Sequence, residues 1–98
     1  MSILNFKTKG TEDINYGRGT KEALKTIPKE LQRKAQVKLA RLGAVMSMQD
    51  LREIRGHRLE KLKGDRNGQY SIRINDQYRI CFKWENNNAV DVEIVDYH

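Results

Sequence analysis

The sequence predicts a single α+β domain over residues 1–98, in which helices pack on one face of a mainly antiparallel sheet of four to five strands. Two patterns predict this class. The second half of the chain contains runs in which apolar and polar residues alternate strictly, and the first half contains a long stretch of helical periodicity. Ninety-eight residues suffice for one modest core, and no linker or repeat divides them.

Short elements are predicted before and after the main helix. Ile3–Phe6 is a candidate first strand, and the polar segment Thr8–Lys25 is expected to hold one short helix or to remain irregular. Ser47–Asp50 has the pattern of a capping box, which opens a short helix that ends at Gly56.

The main helix is predicted to begin at Pro28, which suits a first helical turn, and to end near Leu42. It carries an apolar stripe made of Leu31, Ala35, Leu39 and Leu42. The rest of its circumference is basic, with Lys29, Arg33, Lys34, Lys38 and Arg41. The stripe predicts packing on the sheet, and the basic side chains indicate either a solvated surface or one that contacts phosphates.

The sheet is predicted from Leu59 onward. A strand at Leu59–Lys63 leads into a glycine-rich turn at Gly64–Gly68. The next two strands place one set of residues on a common face: Tyr70, Ile72, Ile74, Tyr78, Ile80, Phe82 and Trp84. The opposite face carries Ser71, Arg73, Arg79, Cys81 and Lys83, and a third run with Val90, Val92 and Ile94 completes a meander.

The alternation also predicts the register of the first hairpin. A three-residue loop at 75–77 pairs Ile72 with Ile80 and Tyr70 with Phe82, which keeps one face of the sheet apolar. The same register sets Arg73 directly opposite Arg79, an unfavourable pair of like charges, so we expect an anionic group nearby.

The second hairpin is predicted to turn around residues 86–88. Pairing Phe82 with Val92 then aligns Lys83 with Asp91, an opposite-charge pair. Continued to the end of the chain, this register brings residues 96–98 beside Tyr78 and Arg79, with Tyr97 on the polar face of the sheet.

The chain is basic overall, and its excess of positive charge lies in the first half. The net charge is +6, and residues 1–46 carry ten Lys/Arg against four Asp/Glu, whereas the remainder carries nine against nine. This balance fits a polyanionic partner, although it also occurs in small domains that are simply soluble. Cys81 is the only cysteine, which excludes an intramolecular disulfide and favours a reducing cytoplasm. Neither a membrane span nor a signal-peptide core is recognisable.

Three segments resemble the HigB family (plasmid-maintenance killer protein) of RelE-like toxins: 63–66 (KGDR), 69–82 (QYSIRINDQYRICF) and 92–98 (VEIVDYH). The resemblance covers residues 3–98 and is most specific from Arg58 onward. It implies a RelE-like fold and a ribosome-dependent endoribonuclease that cuts translated mRNA in the A site of the small subunit. It also implies silencing by a HigA-like helix-turn-helix antitoxin, with operator DNA contacted only through that antitoxin.

The resemblance assigns catalytic roles to Lys63, Arg79, Asp96, Tyr97 and His98. Metal-free RNA cleavage needs a base for the 2′-hydroxyl, cations for the phosphorane and an acid for the 5′ oxygen. The planar fork of Arg79 suits the charge, and Lys63 either shares that role or donates a proton. An unperturbed histidine has a pKa near 6.5, so His98 is a candidate base or acid. Tyr97 is suited to stacking on a base, and Asp96 is suited to orienting a neighbour.

A second set of residues is expected to bind RNA or the ribosome: Arg58, Lys61, Arg66 and Arg73. Neither a metal nor a cofactor is expected, because no His/Cys cluster with metal-ligand spacing is present. The chain departs from some family members at Glu60, where they have a histidine three residues before the lysine. His57 lies nearby, in a different register.

Two other functions compete with mRNA cleavage. One is a non-catalytic module that binds RNA or an antitoxin through its basic surface. The other is a poison of DNA gyrase, because the ParE toxins resemble RelE in fold. A gyrase poison does not need an acid–base pair, so the lysine, the arginine and the terminal Tyr-His favour the nuclease.

Overall fold

The computed structural model describes residues 2–97. Within that range, four α-helices precede a four-stranded antiparallel sheet in the order β1-β2-β3-β4, which confirms the α+β prediction. The helices are α1 (Lys9–Asn15), α2 (Lys21–Thr26), α3 (Lys29–Ala44) and α4 (Met48–Glu53). The strands are β1 (Glu60–Lys61), β2 (Gln69–Arg73), β3 (Tyr78–Glu85) and β4 (Asn88–Asp96), with a 3₁₀ turn at Gly64–Arg66.

The polar segment before α3 folds into two short helices. Each begins at a threonine that accepts a hydrogen bond from the first turn: Thr8 from the amide of Thr11, and Thr20 from that of Ala23. The buried carboxylate of Asp13 joins the two helices, since it accepts a hydrogen bond from the Thr20 hydroxyl at 2.6 Å. The helices also approach closely at Gly10, where a Cβ atom would overlap the Thr26 hydroxyl.

Helix α3 lies on the sheet as its apolar stripe predicts. Ala35, Leu39 and Leu42 are fully buried, and Leu31 packs at the margin of the core. Lys38 differs from the prediction, because it is buried rather than part of an exposed basic surface. No helix within residues 2–97 is long and apolar enough to span a bilayer.

The first hairpin has the predicted register. Ile72 pairs with Ile80 and Tyr70 with Phe82, and these residues face the helices as part of the core. The side-chain oxygen of Asn75 accepts hydrogen bonds from the amides of Gln77 and Tyr78, which fixes the three-residue loop. Arg73 therefore stands opposite Arg79, as predicted.

The second hairpin differs from its prediction. Asn86 and Asn87 form a two-residue turn with φ of 49° and 64°, the left-handed values that tight hairpins favour. Lys83 consequently stands opposite Val90, so the predicted direct alignment of Lys83 with Asp91 is wrong. Asp91 forms a bulge at φ 53°, from which its carboxylate still reaches Lys83 at 3.4 Å.

Beyond the bulge, β4 pairs with β3 in the predicted register. Ile80 pairs with Ile94, and Tyr78 pairs with Asp96. The outer edge of β4 is covered by residues near the N-terminus, where Ile3 and Phe6 form isolated parallel bridges in place of the predicted strand. The two-residue edge strand β1 and the covered edge of β4 limit pairing with other chains.

Candidate active site

The face of the sheet opposite the helices, called here the polar face, carries the candidate site. It includes Ser71 and Arg73 on β2, and Arg79 and Cys81 on β3, because residues of this parity alternate with those of the core. Ser71 and Cys81 are fully buried, and Arg79 is only 8% exposed. Burial raises the pKa of the Cys81 thiol, which keeps it protonated, so Cys81 contributes by packing.

The guanidinium of Arg79 is held from one side by three oxygen atoms. Its Nε donates to the hydroxyl of Ser71 at 2.7 Å, and its Nη2 donates to the carbonyl of Arg58 at 2.6 Å and to that of Ser71 at 3.4 Å. The Glu60 carboxylate lies 3.9 Å from Nη2. Arg58 reaches this position in the left-handed conformation, at φ 44°.

The end of β4 lies beside Arg79, as the register predicts. The amide of Tyr97 donates to the Gln77 carbonyl at 2.6 Å, and the Gln77 side-chain amide donates to Asp96 at 3.1 Å. The ring centroid of Tyr97 lies 5.8 Å from Cζ of Arg79, within cation–π range, and the side chain remains 43% exposed. Residues at a chain end fray unless they are tied down, and Gln77 supplies that tie. His98, predicted to join this group, lies outside the described residues.

The side chain of Arg73 has a counter-ion, which offsets the repulsion between the charges of Arg73 and Arg79. Its Nη2 pairs with the carboxylate of Asp76 in the β2–β3 loop. This hydrogen bond lowers the pKa of Asp76, so the carboxylate stays ionised. The anionic group expected from the like-charge pair is therefore a residue of the chain itself.

Of the remaining predicted residues, only Arg58 is hydrogen-bonded to Arg79 within residues 2–97, through its backbone carbonyl. Lys63 is exposed and lies at the start of the 3₁₀ turn, three residues beyond Glu60. Lys61 is exposed and pairs with Tyr70, so alternation places it toward the helix side of β1. Arg66 donates to Glu93, opposite Cys81, at 3.3 Å, and Arg58 is exposed.

A family model describing the RelE-like toxin HigB of type II toxin–antitoxin systems matches residues 5–98. The chain belongs to this HigB-like toxin family. Toxin HigB-1 of Vibrio cholerae is 36% identical over 88 residues, which cover 90% of each chain. The Endoribonuclease HigB of Proteus vulgaris is 35% identical over 60 residues, which cover 59% of this chain and 65% of that protein.

Solved structures share the fold at lower sequence identity. Two YoeB–YefM toxin–antitoxin complexes from Staphylococcus aureus align over all of this chain and 98% of theirs. The TM-scores are 0.55 and 0.57, at 23% and 22% identity. The chain therefore shares its fold with these solved structures.

Sequence reasoning did not identify three residues that position the HigB-like site: Ser71, Glu60 in its contact with Arg79, and Gln77. The signal for Ser71 was a small hydroxyl between Tyr70 and Ile72, where strands favour larger residues. The signal for Gln77 was its place immediately before β3, opposite the predicted end of β4.

His57 is a buried residue in the segment between α4 and β1. It is fully buried, and neither ring nitrogen has a hydrogen-bond partner within residues 2–97. Desolvation, with smaller contributions from the charges of Lys38 and Arg41, lowers the pKa of His57 to about 4. Its backbone carbonyl accepts a hydrogen bond from the amide of Arg73, so His57 anchors the segment before β1 to the sheet.

We expect His57 to make the protein less stable in acid. In the unfolded chain its pKa is near 6.5, so between pH 6.5 and about 4 the unfolded state binds a proton that the folded state does not. The free energy of unfolding should therefore fall by about 3 kcal/mol over that window, at 1.36 kcal/mol per pKa unit. Urea denaturation of the wild type and His57→Leu at pH 7, 5.5 and 4.5 measures the difference. Parallel pH profiles for the two proteins would contradict this assignment.

Proposed function

We propose that the protein is a ribosome-dependent endoribonuclease that cuts translated mRNA in the A site and thereby inhibits translation. The observation that carries the proposal is the fixed guanidinium of Arg79 beneath the exposed ring of Tyr97. A planar cation suits a phosphate, and an exposed aromatic ring suits an unpaired base. The similarity to a protein named Endoribonuclease HigB supports the same chemistry.

The proposed reaction is an internal transfer that requires no metal. The ribose 2′-oxygen forms a bond to the adjacent phosphorus as a base removes its proton, and the bond from phosphorus to the 5′-oxygen breaks as an acid protonates that oxygen. Arg79 stabilises the charge on the phosphorane. Lys63 and His98 are the proposed groups for proton transfer and further charge stabilisation, while Asp96 orients the tail through Gln77.

We propose ribosome dependence because the site offers few groups that could position a free RNA. Ordering of the message by the ribosome would bring the 2′-oxygen into line with the 5′-oxygen, which supplies much of the rate. Arg58, Lys61, Arg66 and Arg73 would contact the RNA or the ribosome, and Lys61 would do so from the helix side of β1. Rapid cleavage of naked RNA by the purified protein would contradict this part of the proposal.

The proposed regulator is a HigA-like helix-turn-helix antitoxin. The structural neighbours are toxin–antitoxin complexes, which supports a protein partner for this chain. Operator DNA would be contacted only through that antitoxin.

The function is tested by replacing Lys63, which is exposed and therefore separable from folding. We expect Lys63→Ala to lower the cleavage rate on programmed ribosomes by about 10²-fold or more, as for loss of a general acid or a charge stabiliser. Lys29→Ala, which removes the same charge from the start of α3, should retain the wild-type rate. Mapping of mRNA ends provides the measurement, and DNA breaks without mRNA cleavage on expression would indicate a gyrase poison instead.

A further inference from the structure

We propose that Ser71 is a positioning residue that sets the orientation of Arg79, an inference that rests on the proposed nuclease function. Ser71 lies in the middle of β2, directly between Glu60 on β1 and Cys81 on β3. It is fully buried, and its hydroxyl accepts the Nε–H of Arg79 at 2.7 Å.

The geometry of the sheet explains why a serine is needed here. Arg79 pairs with Arg73, so Ser71 is its diagonal neighbour on the same face. The side chain of Arg79 crosses this diagonal and reaches the Arg58 carbonyl, which precedes β1. A small residue at position 71 leaves room for the Arg79 side chain, and the serine hydroxyl supplies a hydrogen-bond acceptor next to Nε.

Arg58 provides the second fixed acceptor. Its carbonyl binds Nη2 at 2.6 Å, from a residue held at φ 44°, a conformation that side-chain-bearing residues rarely adopt. Nε and Nη2 are thus both held by the protein, and the rotation of the planar group is fixed. These two acceptors, the Ser71 hydroxyl and the Arg58 carbonyl, are called here the Arg79 clamp. Because the Arg58 acceptor is a backbone atom, only the Ser71 hydroxyl can be removed by a substitution.

The clamp leaves part of the guanidinium available to a ligand. Within residues 2–97, Nη1 has no hydrogen-bond partner, and the ring of Tyr97 lies on the same side of the sheet. A guanidinium has five N–H donors, so those not used internally can bind phosphate oxygens. A group oriented in advance loses less freedom when the transition state forms, and this raises kcat more than it changes KM.

The activity test compares Ser71→Ala with Ser71→Thr, which keeps a hydroxyl. On programmed ribosomes we expect Ser71→Ala to lower kcat by about tenfold or more with KM changed less than about twofold, and Ser71→Thr to restore most of the rate. In an Arg79→Lys background, which lacks the Nε–H, Ser71→Ala should have little further effect. Equal kcat for the wild type and Ser71→Ala, or full additivity with Arg79→Lys, would overturn the inference.

A second measurement is independent of RNA cleavage. Hydrogen exchange of the Arg79 Nε–H, followed by NMR, should be slow in the wild type and markedly faster in Ser71→Ala. Unchanged exchange would overturn the role of Ser71 even if both proteins were inactive. A wild type that is silent on ribosomes would instead overturn the proposed nuclease, and urea denaturation of each variant confirms that the fold persists.

Discussion

Replacing Arg79 by lysine should lower the rate of mRNA cleavage on the ribosome by about 10²–10³-fold, the loss typical of removing one donor to a developing anion. A lysine is a point charge that cannot bind two phosphate oxygens in one plane. It also cannot donate to both Ser71 and Arg58 in the arrangement that orients the guanidinium. The single-turnover rate of cleavage of a ribosome-bound message measures the effect.

Lysine is a better test than alanine at this position because Arg79 is buried. Arg79→Ala would leave the Ser71 hydroxyl without its donor and open a void, so a loss of activity could reflect lost stability. Arg33→Lys is the matched control, since it makes the same exchange of side chain on the exposed surface of α3. A cleavage rate of Arg79→Lys equal to that of the wild type and the control would contradict the role of Arg79.

The position of Arg79 was predictable because strand periodicity specifies register. Sliding the hairpin by one residue would move Ile72 and Ile80 out of the core, so the pattern alone sets Arg73 opposite Arg79. The same reasoning placed Tyr97 near Arg79, and the ring–guanidinium contact confirms it. Period-two patterns fix which residues share a face, and this was sufficient to predict that Arg79 and Tyr97 lie together, whereas their proposed roles come from the resemblance to the family.

The details that the pattern did not predict depend on contacts between distant parts of the chain. The bulge at Asp91 is stabilised by Asn5, whose side-chain oxygen accepts from the Asp91 amide and whose nitrogen donates to the Asp91 carboxylate. The anchoring of Arg79 likewise depends on the left-handed backbone of Arg58. Neither feature could be located from local sequence, because arginine rarely adopts a positive φ, and the modest preference of aspartate for it does not specify a bulge without the contacts from Asn5.

The helices before α3 show the opposite case, in which a local signal was present but weak. Thr8 and Thr20 each stand three residues before an amide that they cap. The polar composition of the segment concealed these caps, since its few apolar residues give little periodicity. Asp13, buried with Thr20 and Arg18 as partners, supplies the stabilisation that apolar burial does not.

Deletion of Tyr97 and His98 is expected to have the largest effect of all, a loss of about 10³-fold or more in cleavage. Removing a stacking ring costs about 1–3 kcal/mol per base, and removing a general acid or base costs about 10²–10⁴-fold. The fold should persist, because the pairing of Tyr78 with Asp96 and the rest of the β3–β4 ladder remain. Cleavage on programmed ribosomes, together with the urea midpoint, separates loss of function from loss of stability.

Two point variants separate the contribution of the Tyr97 ring from that of its hydroxyl. Tyr97→Phe keeps the ring over Arg79 and should retain most of the activity if the side chain acts by stacking, whereas Tyr97→Ala should lose about tenfold or more. Tyr16→Ala, which removes an exposed tyrosine from the end of α1, is the matched control. If Tyr97→Phe is as impaired as Tyr97→Ala, the hydroxyl takes part in proton transfer. A truncated chain as active as the wild type would instead place the chemistry away from the end of β4.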